Sequence, residues 1–153
     1  MCADREVDMS NERYPRSPKV LLGGMAHLAR LIDKVRLRHA GGIADYNYLT
    51  SGFDKALLDF LQVDPQEFEE RVLSGATDDE LLDWVRVHGR PLRQADIQAW
   101  TKHVLTAKPG DAAAVERYRG RLAAVAAKRG VPIDSLPPAS TWVDAIELDE
   151  GRL

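Results

Sequence analysis

The residues best placed to do chemistry lie near the start of the chain, in GMAHLARLIDKVRLR from Gly24 to Arg38. His27, Arg30, Lys34 and Arg38 recur at three- and four-residue spacing, which on a helix confines them to about 80° of its circumference. Met25, Leu28, Ile32 and Val35 fall nearly opposite. Guanidinium groups bind carboxylate or phosphate through paired hydrogen bonds, and a lysine adds a compact positive charge. Asp33 stands beside the stripe, three residues after Arg30 and three before Arg36. It reads either as half of a surface ion pair, worth at most about 1 kcal/mol, or as a general base if burial raises its pKa. Tyr46 and Tyr48 follow in the loop DYNYLTSGF, where a phenol could close over a ligand held by Arg30 or Lys34, or could pack on the end of a helix bundle. The stripe has a plainer reading too. A charged outer face, solvated or paired with acids elsewhere, is what an amphipathic helix ordinarily presents.

Other chemistries lack their spacing. His27, His39, His88 and His103 form no HxxxH or HExxH arrangement, and Cys2 is the single cysteine. The sequence therefore supplies no metal centre, no intrachain disulfide and no cofactor motif. Cys2 sits in a terminal segment with nothing to lower a thiol pKa. Gly23-Gly24 and Gly41-Gly42 fit neither a Walker phosphate loop nor GxGxxG after a strand, and no GxSxG elbow is present. The glycine pairs read as an entry turn and a helix C-cap, the former placing free N–H groups near His27.

The 153 residues include 24 acids against 21 lysines and arginines, a net charge of −3. The charge is unevenly spread. Arg13 to His39 holds seven basic residues and one acid, whereas Ala40 to Thr106 holds six and twelve. An acidic total argues against a general nucleic-acid binder, which needs a broad basic face. The concentrated cations point instead to a small anionic ligand or an acidic protein surface. No uncharged run approaches the roughly 20 apolar residues of a membrane span, and no basic start leads into an apolar stretch. The expectation is a cytoplasmic protein without membrane attachment.

Helix signals position these residues. The pattern predicts an all-α, single-domain irregular helical bundle of about six to eight helices over residues 19–153, after a flexible lead-in over 1–18. The first helix is expected from Gly24 to Arg38. Asp54 is read as the cap of a helix burying Leu57, Leu58, Phe60 and Leu61. Asp64-Pro65-Gln66-Glu67 and Thr77-Asp78-Asp79-Glu80 are helix starts, and Thr141 with Asp144 is a third. Gln94 to Ala107 and a stretch to Arg129, recapped at Asp111, complete the set. Trp84, Trp100 and Trp142 fall on apolar faces and are assigned to the core. The helices share no fixed period, so a solenoid is not expected.

Four segments together carry a likeness: PRSP and LGGMAHLARLIDKVRLRHAG between Pro15 and Gly41, GFD at Gly52 to Asp54, TDDELLDWV at Thr77 to Val85, and TWVDAIELDEGR at Thr141 to Arg152. The chain resembles an uncharacterised bacterial domain-of-unknown-function family over nearly its whole length past the lead-in. The resemblance implies one intact domain in a bacterial intracellular protein, and it transfers no site residue. Three functional readings follow from the residues themselves. The first is a binding or interaction protein that recognises a small anionic ligand or acidic partner through His27, Arg30, Lys34, Arg38, Tyr46 and Tyr48. The second is a metal-independent enzyme with His27 or Asp33 as proton carrier and Arg30 as anion clamp. The third is a structural protein that forms oligomers, and the sequence sets no oligomeric state.

Overall fold

The computed structural model describes residues 14–43 and 46–153. Among them are seven α-helices: α1 (Leu28–His39), α2 (Gly52–Leu61), α3 (Pro65–Leu73), α4 (Asp78–His88), α5 (Gln94–Thr106), α6 (Ala112–Arg129) and α7 (Trp142–Asp149). A 3-10 turn, Ile133–Ser135, lies between the last two. No strand occurs among the described residues, only an isolated bridge between Leu22 and Met25. The all-α architecture is as the periodicity requires. The helices gather into two units, one through Thr101 and one from Lys102, with the boundary inside α5.

The capping chemistry read from the sequence is in place. Asp64 accepts from Glu67 N–H with Pro65 at the first helical position, and Thr77 with Glu80 forms a reciprocal box at α4. Thr141 with Asp144 does the same at α7, and the Asp111 side chain accepts from Ala114 N–H at α6. Each satisfies backbone donors that the first turn of a helix leaves without partners. Asp54 is not a cap. Ser51 occupies that position, and Asp54 lies inside the first turn of α2 with its residue surface 1% exposed.

In the first unit α1 is buried on almost every side. Leu28, Ala29, Leu31, Ile32 and Val35 pack in the core with Leu57, Leu58, Leu61, Phe68 and Leu81, and α1 lies against α3. The helix starts four residues later than the pattern predicts. Gly23 (φ +60°) and Gly24 (φ +81°) adopt the left-handed region, and a Cβ on Gly23 would stand 2.6 Å from Leu82 Cδ1. Such a turn ends any helix and is open to glycine at little cost. α5 secures it: Trp100 Nε1 donates to Ala26 O at 2.9 Å, and Thr101 Oγ1 donates to Gly24 O at 2.7 Å.

The second unit rests on α6 and α7. Tyr118 of α6 donates its hydroxyl to Thr141 O at 3.0 Å and meets the Trp142 ring edge-on at 5.3 Å. Val125, Ala126, Val143, Ala145 and Leu148 form its buried apolar interior. Of the expected lead-in, residues 1–13 with Cys2 lie outside the described residues. Pro15 and Pro18 are buried, and Arg16 is held in ion pairs described below.

Candidate functional site

Three of the four residues of the cationic stripe do not face solvent; Arg38 does. His27, Arg30 and Lys34 are 1%, 3% and 6% exposed, so both the polar and the apolar side of the helix turn inward. The reason is Asp54, delivered by the first turn of α2 into the same interior. Its Oδ1 lies 2.6 Å from His27 Nε2, and Lys34 Nζ donates to both carboxylate oxygens at 3.1 and 3.2 Å. Leu49 N–H donates to Oδ2 at 3.0 Å. Lys34 Nζ also donates to Asn47 O at 2.9 Å. Charges are sustained inside a protein only when paired and hydrogen-bonded in this way.

Two backbone distortions border the cluster. His27, just before α1, has φ +73°, and Leu49 has φ +56°. Left-handed backbone is uncommon for non-glycine residues and costs on the order of 1–3 kcal/mol where the surroundings enforce it. Both residues contact Asp54. His27 is also fixed by its own N–H, which donates to Pro18 O at 3.0 Å.

The protonation pattern follows from these bonds. Burial pushes the Asp54 carboxyl up, but the His27 hydrogen bond and the Lys34 charge outweigh it and hold Asp54 below the usual carboxylate range. For His27 burial dominates and lowers the pKa, with Asp54 opposing. The pair is therefore a neutral imidazole against a carboxylate. A carboxylate only accepts, so Nε2 carries the proton and Nδ1 is left as an acceptor. That Nδ1 is buried and has no hydrogen-bond partner among the described residues. The Phe53 ring tilts against the imidazole with centroids 5.5 Å apart.

Tyr46 lies over the outer end of the cluster, its ring centroid 5.7 Å from the Arg30 guanidinium carbon and 5.9 Å from Lys34 Nζ. Arg30 also donates to Arg16 O at 3.2 Å. His27, Arg30, Lys34 and Tyr46 thus converge. Arg38 and Tyr48 belong to a separate, more exposed group, in which the guanidinium sits 4.4 Å above the Tyr48 ring. Tyr48 donates its hydroxyl to Glu69 at 2.5 Å, and His39 reaches the same carboxylate. Burial and the neighbouring Glu69 raise the Tyr48 pKa.

Asp33 stands apart from the interior cluster. Arg16 grips it with its backbone N–H and with both Nε and Nη2, at 2.8, 2.9 and 3.1 Å. The same Arg16 reaches Asp78 at 2.8 Å, which Arg36 also contacts at 3.3 Å. Asp33 is thus half of an ion pair, with Arg36 also 4.0 Å away. The entry turn offers no vacant anion cradle either. Met25, Ala26 and His27 N–H groups donate to Leu22 O, Thr101 Oγ1 and Pro18 O. Among the described residues no three histidine, cysteine, aspartate or glutamate side chains are grouped to hold a metal, and no helix is long and apolar enough to cross a membrane.

The residue that sequence reasoning missed is Asp54. Its place after Ser51-Gly52-Phe53 mimics a cap, and only the tertiary path reveals that it is the centre of the cluster. No curated protein matches the chain. The model of a domain of unknown function, DUF5069, matches residues 12–152, and the chain belongs to that family.

Proposed function

We propose that the chain is a binding protein for a small anionic molecule that also carries a hydroxyl, held by His27, Arg30 and Lys34 beneath Tyr46. The observation that supports this most is the buried His27 Nδ1, an acceptor with no partner among the described residues, aimed by the Asp54 carboxylate and bordered by strained backbone. Perturbed titratable groups and enforced strain gather at functional sites. A hydroxyl would donate to Nδ1 while the anion lies towards the two cations. The test is a thermal-shift series with phosphate, small hydroxycarboxylates and nucleoside monophosphates. A hydroxycarboxylate at 100 times its Kd should stabilise the wild-type chain by about 2.7 kcal/mol, and Tyr46→Ala should weaken that response. Equal responses in both proteins, or an Nδ1 occupied only by a structural water in a high-resolution crystal, would refute the reading.

The 2.6 Å His27–Asp54 bond favours one second reading, an enzyme in which His27 carries a proton and Asp54, rather than Asp33, orients it. Following a stabilising ligand by NMR separates the two. Binding alone leaves the ligand's carbon-bound hydrogens in place, whereas proton transfer by His27 would exchange a hydrogen on the carbon beside its carbonyl or carboxyl group with deuterated solvent.

A further inference from the structure

The outer group of Arg38, Tyr48, His39 and Glu69 has no task in the anion-site reading, yet the chain between α1 and α2 ties it to the interior cluster. Tyr46 covers Arg30 and Lys34, Asn47 O accepts from Lys34 Nζ, and Leu49 N–H donates to Asp54 Oδ2. Between them the Tyr48 side chain turns the other way. Its hydroxyl donates to Glu69 of α3, and its ring lies under Arg38 of α1. His39 Nε2 stands 3.1 Å from the same Glu69 oxygen.

Little apolar burial holds this wall of the cluster in place. Of residues 46–51 only Leu49 is buried. Leu49 also has left-handed backbone, φ +56°, whose strain an opening would release. The segment 14–19 borders the cluster too, but Pro15 and Pro18 are buried there and Arg16 binds both Asp33 and Asp78. Local opening begins where few apolar contacts must break. At residues 46–51 the Tyr48–Glu69 hydrogen bond opposes it, and a charged acceptor makes that bond about twice as strong as a neutral one. The Glu69 side chain keeps 24% of its exposure, so its carboxylate returns to water when the bond breaks.

We propose that residues 46–51 are a lid over the site of His27, Lys34 and Asp54, and that Tyr48 with Glu69 is its latch. A ligand enters and leaves on this side. The inference rests on the anion-site reading and adds how access to that site is controlled. Opening takes Asn47 O from Lys34 and Leu49 N–H from Asp54, which turns both charges and the His27 ring towards water. Closing restores the dry surroundings in which a bound anion is held strongly.

The experiment uses the full chain and no ligand. Nuclear magnetic resonance follows amide exchange at Leu49 and at Val35, in the buried middle of α1. Mass spectrometry follows the reaction of diethyl pyrocarbonate with His27. In the wild-type chain Leu49 should exchange faster than Val35 and respond little to urea below the unfolding transition, as local opening requires. Tyr48→Phe deletes the hydroxyl and keeps the ring, and should speed Leu49 exchange and His27 modification about tenfold. Glu69→Ala should act similarly, and the double variant should add little, because both residues act through one bond. Thr77→Ala, which loosens the cap of α4 instead, should move neither rate. Unchanged Leu49 exchange in Tyr48→Phe would overturn the latch, and faster exchange without faster His27 modification would overturn the lid. Equal acceleration by Thr77→Ala would overturn both, since the two sites would then open only by global unfolding. Neither readout involves an anion, so failure here shows at Leu49 and His27, whereas failure of the anion-site reading shows in the thermal-shift series.

Discussion

Two ion-pair clusters draw on the same stretch of basic residues and treat them in opposite ways. In the interior, His27 and Lys34 surround Asp54, whose side chain has no solvent-exposed surface. Nearer the surface, Arg16 and Arg36 share Asp33 and Asp78, whose side chains keep 20% and 32% of their exposure. The contacts are of similar length in both. What differs is the alternative open to each charge when a partner is lost: an acid at the surface returns to water, whereas Asp54 cannot. The interior cluster is therefore all-or-none, and the surface one is graded. A buried ion pair seldom adds net stability over apolar residues of the same volume. Its retention here, with two left-handed residues beside it, supports a role beyond holding the fold.

The largest effect should come from removing the shared acid. Asp54→Ala leaves Lys34 buried without its counter-charge and is expected to cost roughly 3–5 kcal/mol in urea unfolding. Replacing the whole trio by apolar residues, His27→Leu/Lys34→Met/Asp54→Leu, should recover most of that loss while abolishing any anion response. Failure of the triple variant to recover would mean that the cluster does hold the first unit together, and the contrast between the regions would shrink to one of degree.

Acid should discriminate between the clusters next. Burial holds His27 below its ordinary value of 6.5. Below that pH the unfolded chain takes up a proton that the folded chain refuses, so the unfolded state binds more protons and stability drops as the pH is lowered. The loss begins near pH 6.5 and continues to the depressed folded value, at up to about 1.4 kcal/mol per pH unit. Asp54 is depressed as well, and its contribution disappears only below its ordinary value of 3.8. Unfolding free energies at pH 7 and 5.5 measure the His27 part. The drop should be smaller in His27→Asn, which keeps a residue tolerant of the left-handed region but cannot titrate. An identical pH dependence in both proteins would show that His27 is not the titrating group.

The helices were legible because capping is local: Asp64, Thr77, Asp111 and Thr141 need only the residue three positions on. The interior cluster was half legible. His27, Arg30 and Lys34 were picked out by spacing, but their direction was not, since a stripe at helical period looks the same facing water or facing a buried acid. Asp54 supplies that acid from 20 positions beyond Lys34, and its local context advertises a cap. Arg16 was obscured in the same way. It lies among prolines in a stretch with little apolar content, and its partners Asp33 and Asp78 are 17 and 62 positions away.

The smallest effects should separate a networked surface pair from an isolated one. Arg16 binds two carboxylates and is partly shielded, and the hydrogen bond from Arg16 is the chief reason Asp78 lies below the usual carboxylate range. Lys55 and Asp59, four residues apart on α2, also meet at 2.6 Å, but both side chains are more than half exposed. Proximity alone would rank the Lys55 pair first. Exposure reverses that order, because water screens the charges and two free side chains must be immobilised to form the contact. Arg16→Ala should therefore cost about 1 kcal/mol, and Lys55→Ala about 0.3 kcal/mol. Raising the salt to 1 M should erase the Lys55 difference and leave part of the Arg16 one. Equal losses from the two variants would mean that Asp33 and Asp78 are as well solvated as Asp59, and burial would no longer explain why the surface cluster is graded.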